Sequence, residues 1–191
     1  VLGAVPTEQG LSAVRQAMRD GEAAVRRTAV RVASDWPTAA PVPDLLAVAH
    51  GAASAKSRIL AVRGVVRLAE RVDDVSARTR LLARALAAAE RVQEKRLALA
   101  ALADVASPAA LPVALAHLED AALVGEAAAA VVGVAEGIAE SHPEEAKAAL
   151  EAVLRVTEMV RLRERAERLL GRLGGDAGRR PTPNVPGKPG G

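Results

Sequence analysis

Arg58-Ile59-Leu60-Ala61-Val62 is one of about five versions of a single short pattern in this chain. A cation is followed by two residues and an alanine, and then in most copies by an apolar run. The pattern reads Arg26-Arg27-Thr28-Ala29-Val30 and Lys95-Arg96-Leu97-Ala98-Leu99, and more loosely Glu126-Ala127-Ala128-Ala129-Ala130 and Arg163-Glu164-Arg165-Ala166-Glu167. The first residues of successive copies stand 32, 37, 31 and 37 positions apart. A period of about 30–40 residues is that of a helix-turn-helix unit that stacks on its neighbours. The sequence therefore predicts an all-α protein, an α-solenoid of about five helix pairs.

Each copy sits in the second helix of a pair. The apolar spacing predicts helices over Glu8–Arg19 and Glu22–Ser34, Asp44–Gly51 and Lys56–Arg71, and Arg78–Val92 and Glu94–Val105. Two more pairs follow, over Ala109–Leu118 with Leu123–Ala139, and Pro143–Thr157 with Leu162–Leu173. Asp35-Trp36-Pro37 ends the second helix, because the residue before proline is pushed out of the helical region. Val72–Ala77 reads as an extended connection. Ser107-Pro108 and the capping box Ser141…Glu144 read as helix starts.

From Gly174 the composition turns to Gly, Pro and polar residues, so a repeat domain over 1–173 is expected to end in a disordered tail or linker over 174–191. The chain opens on Val1 without Met, which together with that tail reads as a module of a longer protein. Its compartment is left open, cytoplasmic or exported as part of that larger chain.

Half the residues are hydrophobic, yet there is no Phe or Tyr and one Trp, so Ala, Leu and Val must supply the core. Cysteine is absent, which excludes disulfides, thiolate metal sites and cysteine nucleophiles. No apolar run is long enough to span a membrane. The net charge is only +3, and the basic residues are 22 Arg against 4 Lys, a usage that reads as coding bias rather than a nucleic-acid surface.

The turn Asp20-Gly21-Glu22 leading into Ala23-Ala24-Val25-Arg26 resembles the HEAT-like repeat consensus, an acidic turn followed by Val-Arg, Ala and an apolar run. Leu118-Glu119-Asp120-Ala121-Ala122-Leu123 resembles the same turn in the fourth unit, although Glu126 there replaces the cation. The likeness covers residues 8–173 and is loose in the third and fifth units. Asp35-Trp36-Pro37 also resembles the unit ends of HEAT regions in large bacterial multidomain proteins. The resemblance implies a protein-binding or spacer role, with the second helices lining a concave face.

No constellation for catalysis emerges, so no enzyme activity, cofactor, metal or small-molecule ligand is expected. His50, His117 and His142 lie near helix ends without metal-ligand spacing. The His-Glu dipeptide that HEAT-like di-iron hydroxylases present is missing, and Trp36 alone gives no platform for stacking bases. Trp36 reads instead as a buried packing residue between the first and second units. No serine stands in a nucleophile elbow, and no glycine-rich phosphate loop is present.

The remaining candidates form rows of cations. Arg26, Arg58, Lys95 and Arg163 share one repeat position, and Arg31, Arg63 and Arg168 another; Arg67 extends the stripe between Arg63 and Arg71. These eight residues, Arg26 to Arg168, are the candidate binding surface. They serve either as cross-links to acids such as Asp20, Glu22, Asp35, Asp73 and Glu94, or as a basic face for an acidic partner. A non-catalytic scaffold for a protein partner is the leading expectation, and polyanion or nucleic-acid binding through the arginine rows is the alternative.

Overall fold

The computed structural model describes residues 7–176, and among them the chain forms ten α-helices and no strand. They are α1 (Glu8–Ala17), α2 (Ala23–Ser34), α3 (Val42–Gly51), α4 (Ala55–Ala69), α5 (Val75–Ala88), α6 (Val92–Leu102), α7 (Ala110–Leu115), α8 (Val124–Ile138), α9 (Pro143–Val156) and α10 (Val160–Asp176). None of these helices is long and apolar enough to cross a membrane.

Local chemistry sets the helix starts. The Thr7 hydroxyl accepts from Gly10 N–H, Ser54 from Ser57 and Asp74 from Ala77, each satisfying a donor that the first turn leaves unpaired. In the turns before α2 and α8, Asp20 and Asp120 accept from the N–H two residues on, at 2.7 and 2.9 Å. That bond explains why an acid opens both turns.

Several boundaries differ from the sequence reading. The extended connection is shorter than Val72–Ala77, because Asp74 caps a helix that already begins at Val75. The third pair shifts accordingly, so that Val92 opens α6 instead of closing α5. Ser107 and Ser141 do not cap with their hydroxyls: α7 starts from Ala109 and α9 from His142, and the Ser141 hydroxyl donates back to Ile138 O. Helix α10 runs on through Gly174 to Asp176, past the expected start of the tail. The remainder of that tail, 177–191, lies outside the described residues.

Packing follows chain order. Each helix meets its successor, and the even-numbered helices also meet in series, α2 with α4, α4 with α6, α6 with α8 and α8 with α10. On the odd-numbered side α3 meets α5 and α7 meets α9. One continuous core runs from Val30 to Leu169, built almost wholly of Ala, Val and Leu. Trp36 is buried as expected, yet it stands outside that continuous core with Leu11 and Ala29. Its ring edge lies against α1, where a β-carbon at Gly10 would sit 3.5 Å from Cη2.

With small side chains, backbones come close. A β-carbon at Gly64 in α4 would lie 2.7 Å from the Ser34 β-carbon, and one at Gly133 in α8 would lie 2.6 Å from the Ala103 carbonyl oxygen. The second obstacle is backbone at the α6–α7 turn and cannot rotate away. Gly171 in α10, by contrast, has open space around it. Gly133→Ala is therefore expected to cost about 1–3 kcal/mol through overpacking. Gly171→Ala is expected to add about 0.5–1 kcal/mol by relieving glycine's entropic penalty in a helix. Urea unfolding of both variants checks the opposite signs.

Candidate interaction surface

The repeated cation is the fourth residue of its helix in α2, α4, α6 and α10, as the helix bounds place Arg26, Arg58, Lys95 and Arg163. Three of these fold back over the turn that precedes them. Arg26 donates to Asp20 O at 2.6 Å and Gly21 O at 2.8 Å. Arg58 donates to Ala52 O at 2.7 Å and Ala53 O at 3.3 Å. Arg163 donates to Leu154 O at 2.7 Å and Thr157 O at 2.9 Å. A cation in the first turn opposes the helix dipole. Charge-assisted bonds to carbonyls that the turn would otherwise leave unpaired offset that cost. Arg78, fourth in α5, makes the same clasp to Val72 O through Nε and Nη2, at 3.0 and 2.9 Å. Lys95 is half-buried and makes no such bond; its neighbour Arg96 reaches forward instead, to Ala122 O at 2.8 Å in the α7–α8 turn.

The second row bridges helices. Arg63 donates twice to Glu94 Oε1, at 3.0 and 2.7 Å, joining α4 to α6. Arg67 pairs with Asp35 at the end of α2. Arg96 pairs with Glu126 at 3.3 Å, joining α6 to α8. Arg165, with Arg172 at 3.5 Å, pairs with Glu136 and joins α8 to α10. Every even-numbered helix is thus tied to the next by an arginine and a carboxylate, and hydrogen-bonded partners of this kind stand 29 to 32 positions apart. Among the described residues, Arg31 and Arg168 are exposed and make no ion pair or side-chain hydrogen bond, so they are the candidates left facing solvent.

Glu94 is the buried member of this set, with its side chain 2% exposed. Its Oε2 lies 3.6 Å from Arg91 Nε and has no hydrogen-bond partner, and the buried Nε of Arg58 likewise has none. Both residues line a cavity of about 10 Å³, near the least space that one water needs. Arg58 also reaches Glu90 at 2.9 Å.

Several of these residues escaped the sequence reading, notably Arg78, Arg96, Arg165 and the partner role of Glu136. The signal that finds them is opposite charge at one repeat spacing. Among the described residues no group of three or more His, Asp and Glu side chains is arranged to hold a metal. His50 Nδ1 lies 2.7 Å from Leu46 O, and His142 Nδ1 lies 2.9 Å from the Ser141 hydroxyl.

Compared with protein-family models, curated proteins and solved structures, the chain matches none of them.

Two predictions follow from the bridges. Arg63→Met strands a buried carboxylate and is expected to cost about 2 kcal/mol. The double variant Arg63→Met/Glu94→Leu removes both charges and is expected to recover most of that loss. Chemical denaturation of the three proteins measures the coupling. Glu136 is held below the usual carboxylate range by its hydrogen bond from Arg165, against the opposing effect of burial and helped by the charges of Arg165 and Arg172. Its depressed value stabilises the fold above the unfolded-state value of about 4.3, and that contribution is lost as pH falls through the folded-state value. The side chain is 42% exposed, so screening limits the effect to about 0.5–1 kcal/mol. Glu136→Gln is expected to melt below the parent at pH 7, with the gap narrowing as pH falls below the unfolded-state value of about 4.3; thermal scans across that range check it.

Proposed function

We propose that this chain is a non-catalytic HEAT-like scaffold, an α-solenoid of five helix pairs that binds a protein partner or spaces domains within a larger bacterial protein. The observation that carries the reading is the series of even-numbered helices, each packed on and ion-paired to the next at one repeat spacing. Such a series is how a stacked repeat satisfies its own polar groups while presenting an extended face. The pairs α1–α2, α3–α4, α5–α6, α7–α8 and α9–α10 supply the five units.

The same pairing weighs against polyanion binding. Arg26, Arg58, Arg63, Arg67 and Arg163 are committed to carbonyls or carboxylates of this chain. Asp35, Glu94, Glu126 and Glu136 interrupt the positive row with negative charge. There is no aromatic platform on which bases stack. Phosphate contacts alone lose affinity steeply as salt rises.

Two measurements test the reading at about 150 mM salt, where surface charges are substantially screened. Selection of displayed peptides on the full chain is expected to return related sequences that bind with Kd of about 1–100 μM. Titration with single- and double-stranded oligonucleotides is expected to show no binding tighter than about 100 μM. Submicromolar oligonucleotide binding that disappears in Arg31→Glu/Arg168→Glu, together with no selected peptide family, would reverse the assignment.

A further inference from the structure

We propose that the groove between the first and second helix pairs is a docking site for an acidic protein segment studded with aliphatic side chains. The proposal deepens the scaffold reading and rests on it.

The groove arises where the odd-numbered helices part. Helix α1 packs chiefly on α2 and reaches the second pair through Arg15, which donates to Asp44 at 2.8 Å and to Ala40 O at 3.4 Å. Between these supports lies an open cleft of about 490 Å³, walled by α1, α2, α3 and the α3–α4 turn. That volume falls in the range of ligand-binding clefts. It has room for a few aliphatic side chains, not for a folded domain. Met18, Val30 and Val48 give it an apolar floor, and Ala47, Gly51 and Ala53 keep its wall low.

Its charge is one-sided. Arg15, Arg19, Arg26 and Arg27 line it against the single carboxylate of Asp44. Asp44 is already taken by Arg15, and Arg26 is held by the carbonyls of its turn. Arg19 and Arg27 are exposed and have no ion pair or side-chain hydrogen bond among the described residues. Arg63, Arg67, Arg96 and Arg165 meet acids about one repeat away, whereas here two guanidiniums flank apolar surface with none. Guanidinium binds carboxylate in a forked, directional way. An apolar floor beneath it selects a segment that offers both Glu or Asp and Leu-like side chains. Nucleic acid lacks the second of these. The chain's own last stretch, 177–191, is a poor occupant, because it carries Arg179, Arg180 and Lys188 and no acid.

Gly51 allows a clean test, since a β-carbon there meets nothing within 4 Å. Gly51→Leu fills the groove without disturbing the core. The probe is a fluorescein-labelled peptide of about twelve residues, Glu with Leu at helical spacing. Anisotropy is read with the full chain at about 150 mM salt. Controls are the same peptide with Lys for Glu, the same with Ser for Leu, and an oligo-dT of equal length. Binding of the Glu/Leu peptide alone is expected, weakened about tenfold or more by Arg19→Glu/Arg27→Glu and by Gly51→Leu, with melting temperatures unchanged. No binding up to about 1 mM overturns the proposal. Equal binding to the variants, to the Ser peptide or to oligo-dT also overturns it. So does concentration-dependent dimerisation that Gly51→Leu abolishes, which would give the groove to a second copy. If display-selected peptides still bind and ignore all these substitutions, the groove fails and the scaffold reading stands. If no peptide of either kind binds, both fail.

Discussion

The fold depends on arginine doing what aromatic side chains do in most helical proteins. A core of Ala, Val and Leu gives little area per residue, so burial alone stabilises each helix pair weakly. Arg58 shows the remedy. Its Nη1 donates to Ala52 O and Ala53 O in its own turn, and its Nη2 donates to Glu90 in the next. Its methylene stem covers apolar surface along the way. A single side chain thus fixes the angle of one turn and the distance to its neighbour. Arg26, Arg78 and Arg163 repeat the first half of that action.

Small side chains and arginine clasps are two parts of one solution. Gly64 lets α4 close on the Ser34 side chain and Gly133 lets α8 close on the Ala103 backbone, which gains dispersion energy without bulk. Close approach also aligns the even-numbered helices so that Arg63 meets Glu94 and Arg96 meets Glu126. The buried carboxylate of Glu94 is tolerable only because Arg63 and Arg91 converge on it.

The helices were readable from the sequence because their determinants are local. Apolar spacing located all ten, and proline and aspartate marked most of the turns. Errors came where two local signals compete. Ser141 and Glu144 have capping-box spacing, yet His142 occupies the cap and the serine turns back to Ile138. Asp74 outweighs the neighbouring polar residues and starts α5 early. The cation rows were legible as rows, but not their use, because that depends on which way each side chain leaves its helix. Lys95 and Arg96 are adjacent in sequence, and only the second reaches across to α8. The groove was not legible at all. It is set by how far α1 stands from α3, a tertiary spacing that no periodicity encodes.

The side-chain bridges described here have a kinetic meaning. The longest of them, from Arg172 to Glu136, spans 36 positions, and the helices pack in chain order. Among the described residues nothing of this kind ties α1 to α10. Loops closed in forming these contacts are short, so the entropy lost at each step is small and folding should be fast for the chain's length. The same locality lets parts of the chain open separately: a pull on the first helix is resisted only by its own neighbours, α2 and the Arg15–Asp44 pair.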